Sequence, residues 1–579
     1  TTEPMNPADP SSAAPDLMIR LTSVSVAGEA ITFPEVGVTA VVGGNNVGKS
    51  TFLREMNAWF NREPHHPAPS NHIVENLVFE RSSDETDLFA WLTKNADQVA
   101  KPEPGYVRLN SSKPLPESVA SFYWKNETLG RLALFFVHYS EALTRANMVE
   151  PVGQRPDIAS PAQHPLHVLQ DRADVLSEVD AVSRRIFRRP LTLDRLSGQS
   201  VLRVGATGIM APPIDAVTSD YRAALSQLPS LNSQGDGMRS LLGLLLPIVT
   251  ATYPIVLVDE PEAFLHPPQA YQLGATLAAI AEERRIQVVL ATHDRNILAG
   301  LLSASASVSV VRLDRDGDVT TANQLSAAEV GALWTDPVMR YSNVLEGLFH
   351  RVVVVAEADP DCRFYAAAID AIDETTELST SPSEILFIPS GGKDGMAKIV
   401  KALRAVSVRV VASPDLDLLD DASKVKKLIE AAGGSWADIE ADYERAVNDM
   451  RSAQVDATCA EVLAQIETAL GDVMDQPWTE ETRARLRPAT RTRKSEFYKL
   501  KRFGVAAFSG EAAIHADETL AKLDSFGICC VREGELERMA PTLGVSKGPA
   551  WLGAALKAGA HRGDAAKKHV ERILAAAQL

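Results

Sequence analysis

Cysteine is scarce in this chain: four residues, Cys362, Cys459, Cys529 and Cys530, among 579. None is spaced as a CxxC pair, and Cys529 and Cys530 sit in an apolar, strand-like run, so neither a zinc site nor a disulfide framework is expected. The thiols read as buried and reduced. Also lacking is an apolar run approaching the roughly 20 residues that cross a bilayer. Thr1 to Pro15 is polar and rich in Pro, Ala and Ser, without the charged-then-apolar order of a signal segment. The expectation is a cytoplasmic protein with no membrane association and a disordered leader over residues 1–16. Positive charge is lacking overall. At a net −17 the surface as a whole repels polyanions, so any nucleic-acid contact must come from a local concentration of Lys and Arg.

Such a concentration is present. From Arg483 to Arg502 the run RARLRPATRTRKSEFYKLKR holds nine Lys/Arg and one acid, with Phe497 and Tyr498 among them. It fits a nucleic-acid patch and equally a solvated or partner-facing helix surface. With 45% hydrophobic and 23% charged residues over this length, the chain should fold as two or more domains.

β-rich and helical stretches alternate, which predicts an α/β fold. LMIRLTSVSV, VTAVVG, PIVLVDE and IQVVLATHD read as strands, and RPLTLDRL with SVLRVGA as a hairpin. Residues 61–185 are irregular and Pro-rich in places, which suggests an insertion and a candidate dimerisation element within a first domain spanning 17–345. RVVVVAEAD then opens a second α/β domain over 346–545. A helical insertion at about 418–515 interrupts it, FGICCVREGELE reads as its returning strand, and 546–579 as a helical tail.

The strongest motif is Gly43-Gly-Asn45-Asn46-Val-Gly48-Lys49-Ser50-Thr51, which fits GxxxxGK[ST] between a strand and a helix. Backbone amides of such a loop curl round phosphates, Lys49 neutralises β/γ oxygens, and Ser50 offers a hydroxyl to Mg²⁺. IVLVDE delivers two carboxylates at a strand tip: Asp259 is expected to hold Mg²⁺ and Glu260 to polarise the attacking water. IQVVLATHD delivers His293 as a candidate γ-phosphate sensor. ATP and Mg²⁺ are the expected cofactors.

Two loops compete for the signature that a partner subunit presses on the γ-phosphate. Leu196-Ser-Gly-Gln-Ser200 has the right letters but joins two strands. Ser233 and Gly235 open an apolar helix one helix ahead of Asp259, where hydroxyl and amide donors could clamp an anion. Position favours the second, and with it a head-to-tail homodimer or higher homo-oligomer.

DEPEAFLHP (Asp259 to Pro267) followed by ATHD resembles the ATPases of the SMC, RecF and OLD (overcoming lysogenization defect) groups. The layout from about Leu17 to near Lys547 is similar to the OLD family, in which an ABC-type ATPase precedes a TOPRIM nuclease. Three buried strands ending in acids carry the second half of the resemblance: RVVVVAEADPD, VRVVASPDLD and FGICCVREGELE. Negative charge so concentrated needs divalent cations. The resemblance implies two Mg²⁺ or Mn²⁺ ions for phosphodiester cleavage, with Glu357, Asp361, Asp415, Asp417 and Glu537 as ligands and Lys547 against the transition-state charge. The family's Glu-Gly step is Glu357-Ala358 here. It also implies DNA as substrate, defence against phage or foreign DNA, and a defence partner protein. Two other readings stay open: a RecF- or SMC-like DNA clamp with a scaffolding second domain, and a nuclease of RNA. Gly391-Gly392-Lys393 fits both a phosphate-binding turn and a plain β–α turn.

Overall fold

Strands that are apolar on both faces must be covered on both faces, and the first unit shows this most plainly. In the computed structural model the described residues are 19–335 and 343–578, except 65, 67–72, 83, 101–102, 110–112, 158–159, 214, 377, 379, 406, 453–454, 457, 472, 475–476, 481, 484–485, 487–492, 495 and 546–548. The chain divides into two units, Thr1–Arg340 and Tyr341–Leu579. The leader expected over 1–16 lies outside the described residues.

In the first unit β1 (Gly37–Val42), β2 (Val137–Ser140), β3 (Ile255–Asp259), β4 (Gln287–Ala291), β5 (Val308–Asp316) and β6 (Val319–Leu325) form one sheet, ordered β6-β5-β1-β4-β3-β2. β1 to β5 run parallel, and β6 returns antiparallel to β5. Every residue of β1, β3 and β4 is buried. Helices α1 (Lys49–Phe60), α2 (Asp236–Thr250), α3 (Pro267–Glu283) and α4 (Arg295–Ala304) connect or flank these strands. A second, antiparallel sheet pairs Ile19–Val26 with Glu29–Thr32 and Asn76–Arg81. Gln287, 3% exposed, ties the two sheets together. Its Oε1 accepts from Leu21 N–H at 2.7 Å, and its Nε2 donates to the carbonyls of Leu21 at 2.8 Å and Pro34 at 2.6 Å.

The stretch 61–185, expected as an insertion, is woven into this unit instead. Asn76–Arg81 completes the antiparallel sheet and β2 forms the edge of the central one. β2 has only four residues, its middle two half-buried, too short for its periodicity to show against the Pro-rich surroundings.

The second unit is built on a parallel sheet of β7 (Val352–Ala356), β8 (Ile385–Pro389) and β9 (Arg409–Ser413), with β7 central. The segment expected as a returning strand runs beside β9 with single parallel bridges, Ala412 with Ile528 and Asp415 with Val531. Its helices include α5 (Asp359–Asp373), α6 (Lys393–Ala405), α7 (Ala422–Ala431), α8 (Tyr498–Phe503), α9 (Pro549–Lys557) and α10 (Asp564–Ala576). Residues 549–578 are no appended tail. Trp551, Val570 and Ile573 are at most 2% exposed and join Val354, Phe364 and Ile369 in the core. Buried His569 accepts or donates at Nε2 to Ser413 Oγ, 2.9 Å away. Burial raises the thiol pKa of Cys362, Cys529 and Cys530.

Replacing Gln287 by Leu would leave the buried Leu21 amide and two carbonyls without these partners, at a cost of about 2–3 kcal/mol. Denaturant unfolding should show a lower midpoint at unchanged slope.

Candidate functional site

The first site lies where β1 turns into α1. Six residues, Gly43 to Gly48, make the turn, with Gly43, Asn46 and Gly48 at φ 145°, 60° and 99°. A Cβ on Gly43 would stand 2.3 Å from the Leu313 carbonyl oxygen, and one on Gly48 2.3 Å from Ile73 Cδ1. Only glycine fits either place. Lys49 Nζ lies inside the turn, donating to the carbonyls of Gly43 at 3.0 Å and Gly44 at 2.7 Å. Burial lowers its pKa, while Glu262, Glu260 and Asp259 oppose that shift. Ser50 Oγ donates to Asp259 Oδ1 at 2.9 Å. Asp259 is 7% exposed, and burial raises its pKa against the pull of the Ser50 hydroxyl. A glycine-lined helix N-terminus, an ammonium and a hydroxyl–carboxylate pair fit a nucleoside triphosphate with its divalent ion.

The chemistry past Asp259 depends on backbone geometry. Glu260 has φ 47°, a costly conformation for a non-glycine residue. Its N–H donates to Ala291 O at 2.9 Å, fastening the tip of β3 to that of β4. Arg145, 2% exposed, holds the same turn from the other side. Its guanidinium donates to the carbonyls of Asp259 at 2.6 Å, Glu260 at 2.7 Å and Pro261 at 3.5 Å. Burial pulls the Arg145 pKa down to about 10 despite three nearby acids. Glu262, 5% exposed, accepts at Oε1 from Thr292 Oγ1 at 2.7 Å and from His293 N–H at 2.8 Å. His293 Nδ1 thereby lies 3.2 Å from Glu262 Oε1 and 3.8 Å from Glu260 Oε1.

Residues 38–299 match the family model described as "AAA domain, putative AbiEii toxin, Type IV TA system". This part of the chain is similar to P-loop ATPase domains of that AAA type. Similar solved structures include the Smc head bound to the C-winged helix domain of ScpA, with TM-score 0.33, 10% identity, and coverage of 54% of this chain and 98% of that one. Another is cbiO1 from Clostridium perfringens, part of the ABC transporter complex cbiONQ, with TM-score 0.28, 14% identity and coverage of 55% and 91%. The SMC head domain from Thermotoga maritima gives TM-score 0.27, 13% identity and coverage of 53% and 99%. No curated protein matches the chain. Among the described residues no helix is long and apolar enough to cross a membrane.

In the ATPase domain Ser233 ends a short 3₁₀ turn and Gly235 caps α2, both exposed. Ser233 Oγ donates to Ser230 O at 2.6 Å. The look-alike at Ser197 sits in the hairpin between Leu191–Asp194 and Gln199–Val204. There Asp194 accepts from Ser197 Oγ at 2.9 Å and Arg203 Nε at 2.9 Å.

The second site lies in the other unit, at the C-terminal ends of β7 and β9. Glu357, Asp415 and Asp417 each bring a carboxylate oxygen within 4.8 Å of the others. Asp415 is 5% exposed, and its N–H donates to Glu357 Oε1 at 3.1 Å. Two lysines reach in: Lys393 Nζ is 2.7 Å from Asp417 Oδ1, and Lys501 Nζ is 3.1 Å from Asp417 Oδ2 and 3.6 Å from Asp415 Oδ2. Two glycines let α8 come close enough to place Lys501. A Cβ on Gly504 would stand 2.2 Å from Arg532 O, and one on Gly534 2.4 Å from Leu500 O. Three carboxylates with this spacing form a donor set that suits a hard divalent cation.

Asp361 departs from the expectation. It stands in the first turn of α5, where its Oδ2 accepts from Ala358 N–H at 2.9 Å, so the cluster of three does not include it. Glu537 sits in a 3₁₀ turn, Leu536–Met539, also outside the cluster. Lys547 and nine residues of the basic run, among them Arg485, Arg487 and Arg491, lie outside the described residues. Gly391 and Gly392, both at positive φ, form the turn that aims Lys393. The reading of the sequence missed Arg145, Glu262 and Lys501 as site residues. Glu262 and Lys501 stood inside motifs already noted, whereas Arg145 carries no local signal.

Arg145→Ala should lower the ATPase domain's thermal transition and reduce ATP turnover at least about tenfold, because three carbonyls of the Asp259–Pro261 turn lose their charged donor. Arg145→Lys, with one donor centre in place of a fork, should restore little of either.

Proposed function

We propose that the protein is a nucleotide-controlled, divalent-metal-dependent endonuclease acting on DNA, an OLD-type pairing of ABC ATPase and TOPRIM nuclease. The observation that carries this reading is the convergence of Glu357, Asp415 and Asp417 at one sheet edge. In the ATPase domain, amides of Gly43, Asn45, Asn46 and Gly48, with Thr51 on the first turn of α1, cradle the phosphates. Lys49 balances their charge, and Ser50 and Asp259 hold Mg²⁺. Glu260 accepts a proton from the attacking water, and His293, kept beside Glu260 by Glu262, faces the γ-phosphate. Ser233 and Gly235 donate to the γ-phosphate of a partner subunit, so closure around ATP is a dimerisation step.

In the second unit Glu357, Asp415 and Asp417 hold the catalytic divalent ions. Such ions, when bound, activate water and stabilise the leaving oxygen of a phosphodiester. The roles of the chain's own groups follow from their places. Asp415 N–H orients Glu357, and Lys393 and Lys501 keep the carboxylates apart from one another's full repulsion until cations enter. A role in defence against phage or foreign DNA is compatible with the matched family's description as a toxin of a type IV TA system.

One observation favours a second reading, a DNA clamp whose second unit is a scaffold. The two lysines already balance much of the acid cluster's charge without any metal. Cleavage of plasmid DNA in Mg²⁺ or Mn²⁺ separates the two: the nuclease predicts cutting that Asp415→Ala abolishes, and a wild type that cuts nothing in either ion leaves the clamp. In parallel, Glu260→Gln should bind ATP, elute as a closed dimer in its presence and turn over at under about a hundredth of the wild-type rate. Normal hydrolysis by that variant would remove Glu260 from the proton-accepting role.

A further inference from the structure

In the second unit, α6 and α7 enclose a cleft of about 510 Å³ lined by Lys393, Lys398, Lys401, Lys424 and Lys427. Against these five cations stand two acids, Asp394 and Glu430, and two alanines. The helical period explains the array: Lys398 and Lys401 share a face of α6, and Lys424 and Lys427 a face of α7. Asp394 lies 3.5 Å from Lys424. Lys398, Lys401 and Lys427 are exposed, and among the described residues no ion pair is recorded for them. In a chain of net charge −17, this local excess has no function in the fold, since exposed like charges on neighbouring helices repel.

The cleft and the acid site share one residue. Lys393 lines the cleft and at the same time holds Asp417 at 2.7 Å. We propose that this cleft is the track on which the phosphodiester backbone of duplex DNA lies as it enters the acid site. The proposal rests on the nuclease reading only in saying what the track leads to.

The lining chemistry selects the occupant. Single strands are held by a basic groove together with aromatic stacking, and among the described residues the cleft has no aromatic side chain. Duplex RNA is recognised by its A-form shape and by 2′-hydroxyl and phosphate contacts, and among the described residues no hydroxyl or amide side chain, able both to donate and to accept, lines the cleft to pair with a 2′-hydroxyl. Lysines are point charges that neutralise phosphates without reading bases, which suits sequence-independent contact with a DNA duplex.

The test is binding of a fluorescein-labelled random-sequence DNA duplex to the full chain in EDTA, across a salt series, for wild type and for Lys398→Gln/Lys401→Gln/Lys427→Gln. Gln preserves helix propensity, and an unchanged thermal transition serves as the fold control. The triple variant should bind at least about tenfold more weakly at low salt, with a salt slope smaller by about three units. Wild-type affinity and slope in the variant would overturn the proposal, as would absence of duplex binding by the wild type. Lysine-dependent preference for duplex RNA, phosphatidylserine vesicles or an acidic peptide would overturn it too. Asp415→Ala separates the two readings. Lysine-dependent DNA binding without cutting by the wild type keeps the track and removes the nuclease, whereas cutting that needs Asp415 but binding indifferent to the lysines does the reverse.

Discussion

Each unit carries a carboxylate out of water on the end of a buried parallel strand, and much of the surrounding structure answers that cost. Asp259 and Asp415 are 7% and 5% exposed, and an ionised carboxylate so placed is unstable unless hydrogen bonds or cations compensate it. Around Asp259 the compensation is the Ser50 hydroxyl, with Lys49 and Arg145 nearby. Around Asp415 it is Lys501, while Lys393 serves the adjoining Asp417. A divalent cation would complete either arrangement, because cations and carboxylates lower one another's burial cost.

The two sites reach this end by different routes. In the ATPase domain the carboxylates and the cations come from neighbouring strand tips, and the backbone itself is shaped to serve them. Arg145 binds carbonyls rather than carboxylates. It therefore fixes the path of the turn that presents Glu260, while the positive φ of Glu260 aims its side chain toward His293. In the second unit Lys393 follows the tip of β8, but the other cation comes from a distant segment. Lys501 arrives on α8, held against the Arg532–Gly534 turn by contacts that only Gly504 and Gly534 permit. The lysines of α6 and α7 extend the same charge logic from ion pair to open cleft.

The legible parts of the sequence were those in which chemistry and local structure coincide. The glycine spacing before Lys49 needs left-handed turns, and the structure has them at Gly43 and Gly48. Two buried strands of the second unit could be read from unbroken apolar runs, and the acids that follow them meet in space, whereas the run at 526–537 pairs only through single bridges. Asp361 misled because an acid three residues into a helix caps it as readily as it binds metal. β2 and the C-terminal helices misled for another reason. Their apolar residues are few or spread at helical spacing, so nothing local shows that they join a core.

What the sequence determined by itself is the phosphate-binding turn, the strand-tip acids and the α/β alternation, because each depends on neighbours in the chain. Tertiary structure decided which cation meets which acid. Arg145 lies more than a hundred residues from the carbonyls it holds, and Lys501 comes from beyond a helical stretch to reach Asp417. Long-range pairing of this kind follows from burial and close backbone approach, and a local pattern carries no record of either.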